Sequence, residues 1–145
     1  MNGYTYGMDP SVRLREICDE YGVLAVYLFG SRARDGVRRL GGGEVSGQGS
    51  DLDVGVFGIS GSVATDRLGT LQVLLEEVFS PLRVDLVPLD RVDPLFQFGA
   101  ISGQRVVASN RRAADEKELE VMRRAADLLP FQRELELETF GTSTS

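Results

Sequence analysis

Apolar residues change their rhythm along this chain, and the changes divide it into elements. Leu14, Ile17, Cys18 and Tyr21 recur at helical spacing, with Asp9-Pro10-Ser11 as a helix start and Gly22 as its end. Val23 to Phe29 is then an unbroken apolar run of strand length. Residues Gly30 to Gly49 hold few apolar positions and many glycines, which predicts a turn followed by a long loop. A second strand is expected over Asp51 to Phe57 and a turn over Gly58 to Gly61. A helix should follow from Ser62 to Phe79, burying Leu68, Leu71, Leu74, Leu75 and Val78 before Pro81 stops it. The third strand covers Arg83 to Pro88. Asp93-Pro94 opens a short helix that Gly99 to Gly103 closes. Arg105 to Ala108 reads as a strand, Ala113 to Leu129 as an amphipathic helix, and Pro130 begins a Glu-rich stretch that continues as helix. Residues 1–9 and 139–145 read as flexible tails. The order α-β-β-α-β-α-β-α predicts a single mixed α/β domain over residues 1–145.

Composition narrows the chemistry more than the fold. A length of 145 residues and 42% hydrophobic content suffice for one packed core. No apolar run approaches a membrane span and the N-terminus lacks a signal-peptide layout, so a cytoplasmic location without membrane contact is expected. The one cysteine, Cys18, shares an apolar helix face with Leu14, Ile17 and Tyr21, the place for a buried structural thiol. There is no histidine, which excludes Ser-His-Asp and Cys-His catalysis and histidine-based metal sites. The only lysine, Lys117, follows no glycine-rich loop, so there is no P-loop. A net charge of −6 argues against direct nucleic-acid binding.

Against that background one pattern stands out. The strand ending at Phe29 runs into Gly30-Ser31-Arg32-Ala33-Arg34, and the next strand opens with Ser50-Asp51-Leu52-Asp53. Strand side chains alternate faces, so Asp51 and Asp53 project from the same side. Two carboxylates held so close repel unless a cation sits between them, and magnesium accepts carboxylates together with phosphate oxygens. Asp85 lies alone inside the apolar strand Arg83-Val84-Asp85-Leu86-Val87, where an ionised side chain is costly unless paired or bound to metal. A Gly-Ser turn presents backbone N–H groups and a hydroxyl to phosphate. Arg32 and Arg34 flank that turn as phosphate-reading forks. An isolated Asp-x-Asp would be weak evidence; strand, Gly-Ser turn, paired acids and a third strand-borne acid together point to nucleotidyl transfer.

These residues resemble a minimal nucleotidyltransferase of the DNA polymerase beta superfamily, most similar to the small antitoxin branch that pairs with HEPN-domain toxins. The resemblance spans about residues 10 to 135 and rests on Gly30-Ser31, Ser50-Asp51-Leu52-Asp53 and Asp85, with Asp85 to Asp90 and Asp93 to Phe96 similar to the family's run after the third acid. It implies a small mixed β-sheet flanked by helices. It implies Asp51, Asp53 and Asp85 as the catalytic and metal-binding acids for two Mg2+ ions. Gly30, Ser31, Arg32, Arg34 and Ser50 become the ATP-binding residues. The implied reaction is AMP transfer from ATP to a tyrosine of a partner HEPN toxin, either as a hetero-oligomer with the toxin or from a homo-oligomer. Two alternatives stay open: a small-molecule nucleotidyltransferase of the aminoglycoside-modifying kind, and a non-catalytic antitoxin acting by binding alone. The segment between Ser31 and Asp51 is longer than in the family's short members. Over Gly36 to Gly49 it reads either as a flexible insertion or as a lid whose Arg38 or Arg39 closes on the triphosphate. Leu128, Leu129, Phe131, Leu135 and Leu137 gather apolar surface near the C-terminus, for the core or for a docking edge.

Overall fold

The structure is a computed structural model that describes residues 9–140, with side chains described as far as residue 130. The expected tails, 1–9 and 139–145, fall almost wholly outside the described residues, as do the side chains of Phe131, Leu135 and Leu137. Helix α1 (Pro10–Tyr21) begins where Asp9 accepts the Ser11 backbone N–H, and it ends at Gly22, whose φ of 67° a side chain would resist. Strand β1 (Val23–Phe29) follows directly. Then come α2 (Ala33–Leu40), β2 (Leu52–Gly58), α3 (Thr65–Phe79), β3 (Val84–Pro88) and a 3₁₀ turn (Leu89–Arg91). Helix α4 (Pro94–Ile101), β4 (Gln104–Ala108) and the long α5 (Arg111–Phe140), which passes through Pro130, complete the chain.

The four strands form one mixed sheet in the order β3-β2-β1-β4. β2 and β3 are parallel, joined through α3, while β1 is antiparallel to both its neighbours. Helices cover both faces, which is why β1 is apolar at every position rather than alternating. On one face Leu14, Ile17, Leu71, Leu75 and Phe79 pack against Val26, Leu28, Leu52 and Val54. On the other, Ala114 and Val121 of α5 and Ala100 of α4 meet Ala25, Tyr27 and Phe57.

One expectation needs correction. Gly30 to Gly49 is not a continuous loop, because α2 occupies its first half. Gly36 holds that helix against the sheet: a Cβ there would stand 2.7 Å from Leu28 Cδ1 and 2.9 Å from Leu52 Cδ1. The apolar signal of α2 is a single buried glycine plus Leu40, too sparse for a periodicity argument.

Candidate nucleotide-transfer site

The antiparallel pairing of β1 with β2 sets Phe29 opposite Asp53, and the parallel pairing of β2 with β3 sets Asp53 beside Asp85. The C-terminal end of β1 and the N-terminal ends of β2, β3 and β4 therefore share one edge of the sheet. Asp53 and Asp85 lie on the face that carries Phe57, Tyr27 and the α4–α5 layer. At the end of β1, Gly30 turns the chain with φ of 75°. A Cβ on Gly30 would lie 2.1 Å from Asp53 Oδ2, so glycine is required there twice over, for its dihedral and for space. Ser31 Oγ and Ser50 Oγ are hydrogen-bonded at 3.0 Å, tying the turn to the residue before Asp51.

Electrostatics mark Asp53 as the strained member. Burial raises its pKa above the ordinary aspartate value, and the charge and hydrogen bonding of Asp85, then the charge of Asp51, push the same way. Asp51 turns toward Arg83, with Oδ1 3.7 Å from Nε. Both side chains of that pair are more than half exposed, and such a pair is worth ~0–1 kcal/mol, so little holds Asp51 away from the other two acids. Among the described residues no three acidic or thiol side chains converge on a single metal position. Even so, the donor set suits magnesium: hard carboxylate oxygens, two of them side by side with their repulsion uncompensated, beside a glycine that leaves room for a ligand.

The two arginines of the turn part company. Arg32 is buried, and its guanidinium donates to Ser46 O at 2.6 Å, Gln48 O at 2.9 Å and Ser50 O at 3.0 Å, with Nε to Asp35 Oδ2 at 2.7 Å. The expectation that Arg32 reads phosphate gives way: its fork is committed to the backbone of the segment that delivers Ser50 and Asp51. Arg34 makes no ion pair among the described residues and lines a cavity of about 350 Å³ beside Gly30 and Ser31. The lid expectation fares like Arg32. Arg39 donates to Ser80 O at 2.6 Å, Gly47 packs against Pro81, and the segment after α2 is fastened by Arg32. The far wall of the cavity comes from Gly99, Ser102, Gly103 and Gln104. Nothing in the local sequence signals those four, because only the pairing of β4 with β1 brings them to the turn.

The family model described as polymerase beta, nucleotidyltransferase matches residues 13–113. No curated protein matches the chain by sequence. Several solved structures share the fold. The MntA–HepT toxin–antitoxin complex is similar with a TM-score of 0.54 at 13% identity, over 93% of this chain and 94% of that one. A toxin–antitoxin complex with AMP-PNP gives 0.54 at 14%, over 92% and 95%. The tri-AMPylated HEPN toxin of Shewanella oneidensis in complex with MNT antitoxin gives 0.53 at 14%, over 93% of each chain.

Proposed function

This chain belongs to the polymerase beta nucleotidyltransferase family, and on that premise we propose that it transfers AMP from ATP, with magnesium, to a tyrosine hydroxyl of a HEPN-domain toxin, and so acts as its antitoxin. The observation that carries the reading is the contact between turn and acid: Gly30, in a left-handed conformation, is built against Asp53, which stands beside Asp85. A phosphate-binding turn packed on a carboxylate pair suits a reaction at phosphorus and little else. The acceptor follows from the likeness to complexes of the MNT antitoxin with an AMPylated HEPN toxin.

Asp51, Asp53 and Asp85 would hold two magnesium ions, which, when bound, supply charge neutralisation at the α-phosphate and a lowered pKa for the acceptor hydroxyl. Gly30 and Ser31 orient the outer phosphates through backbone N–H groups and a hydroxyl, with Ser50 steadying Ser31 and Arg34 offering a guanidinium. The acceptor oxygen forms a bond to the α-phosphorus as the bridge to the β-phosphate breaks, so AMP stays on the acceptor and pyrophosphate leaves. With no histidine in the chain, Asp85 is the base placed to take the hydroxyl proton. The absence among described residues of a helix long and apolar enough to cross a membrane agrees with a partner met in solution.

The test is transfer of labelled AMP. Incubated with ATP, magnesium and the helical protein encoded beside it, the chain should label that protein on tyrosine, located by mass spectrometry, and Asp51→Asn should label nothing. Label on an added aminoglycoside with the partner unmodified would replace the acceptor. Silencing of the toxin without any label would mean that binding alone does the work.

A further inference from the structure

Gly30 divides the end of the sheet into two electrostatic halves. On the side of β2 and β3 stand Asp51, Asp53 and Asp85. On the side of β4 lies the cavity, whose lining holds one cation, Arg34, and no carboxylate, in a chain of net charge −6. The first half suits metal and the second suits anion. The wall opposite Arg34 is α4, and it presents Gly99. Glycine in the middle of a helix is the poorest choice after proline. The usual excuse, crowding, does not apply, since a Cβ on Gly99 would meet nothing within 4 Å and its φ is not left-handed. Gly103, one turn on, is different: a Cβ there would stand 2.3 Å from Leu28 O, so that glycine serves the docking of β4 on β1. Gly99 is open only toward the cavity. Gln104 adds a side-chain amide with no hydrogen-bond partner among the described residues, whereas the Ser102 hydroxyl is already donated to Phe98 O at 2.8 Å.

We propose that the cavity between Gly30-Ser31 and α4 seats the β,γ-diphosphate of the donor nucleotide and then the pyrophosphate, that Gly99 keeps it open to that size, and that Gln104 donates to the phosphate oxygens opposite Arg34. The nucleoside and α-phosphate lie on the acid side of Gly30. This rests on the reading of the chain as an AMP transferase, and it adds a second wall, contributed by α4 and β4, to the turn.

Gly99→Leu projects a side chain into the cavity from a position with no neighbour to displace, so the fold should be retained. Binding is measured by calorimetry with magnesium, without acceptor, for a non-hydrolysable α,β-methylene ATP, inorganic pyrophosphate and AMP. Gly99→Leu should weaken the ATP analogue and pyrophosphate by about tenfold or more and leave AMP unchanged, with melting at or above the wild-type temperature. Gln104→Ala should weaken the first two more mildly, and Gln104→Asn should restore part of the loss. Unchanged affinity of Gly99→Leu for the ATP analogue overturns the inference while leaving the transferase reading intact. A loss confined to AMP would move the nucleoside into the cavity and overturn it too. Failure of the wild-type chain to bind the ATP analogue would overturn both.

Discussion

At the scale of single residues, charge and burial make separable statements. The folded protein raises the Asp53 pKa, so the native state holds that proton more tightly than the unfolded chain does. Ionised Asp53 therefore destabilises the metal-free fold, and the penalty is relieved as pH falls toward the carboxylate range. Asp53→Asn should melt higher than wild type at pH 7.5 in chelator, with the gap narrowing at acid pH, while AMP transfer is lost; thermal melts at several pH values with a transfer assay check both. Ser31→Ala removes one hydroxyl and its bond to Ser50 but no backbone donor, so transfer should fall without vanishing. Cys18 is buried, and its thiol is pushed up to about 12, first by desolvation and then by the Asp19 charge. Native protein at pH 8 should resist thiol reagents and should react once unfolded in denaturant.

Among the elements, α2 and the segment after it show how structure is anchored where pattern is poor. Arg32 gathers three backbone carbonyls and Asp35 around one buried guanidinium, and so fixes the path from Ser46 to Ser50 that leads into β2. Deleting the side chain leaves those carbonyls without donors inside the protein. Arg32→Ala should cost about 2–4 kcal/mol, and Arg32→Lys should recover little, since one ammonium cannot span the same acceptors. Denaturant melts give the cost. Hydrogen exchange should show residues 44–50 opening well below the global unfolding energy. ATP affinity should fall as a consequence of the misplaced Ser50 and Asp51, not of a lost phosphate contact.

For the whole molecule, two helical layers hold the sheet, and the layer of α4 and α5 stands on the same face as the acids. Phe57 is fully buried in that layer, edge-on to Tyr27 at 6.1 Å between ring centroids and beneath the Lys117 ammonium at 5.2 Å. The Tyr27 hydroxyl donates to Glu118 on α5, and Arg105 on β4 reaches Glu118 at 2.9 Å and Asp115 at 2.7 Å. Helix and sheet are thus joined by aromatic packing and an ion network together. Phe57→Ala should cost about 3–5 kcal/mol and lower cooperativity, seen as a smaller m-value in urea. Tyr27→Phe should cost only about 1 kcal/mol, because Arg105 continues to hold Glu118.

The chain's local patterns determined much of this protein. Three of the four strand positions, the helix caps at Asp9 and Asp93, and the list Gly30, Ser31, Asp51, Asp53 and Asp85 could be read because each is signalled within a few residues of itself. Strand alternation even placed Asp51 and Asp53 on one face. The tertiary structure decided what depends on contacts between distant segments. It set Asp85 beside Asp53, since a parallel register has no local signature. It turned a glycine-rich stretch into α2, since one buried glycine against Leu28 and Leu52 carries no period. It spent Arg32 on carbonyls up to eighteen residues away while leaving Arg34 facing a cavity, a distinction invisible in two arginines spaced by one alanine. It brought Gly99 and Gln104 to the turn through the pairing of β4 with β1. Periodicity records which face of an element is buried; it does not record which element does the burying, and the site is made at that second level.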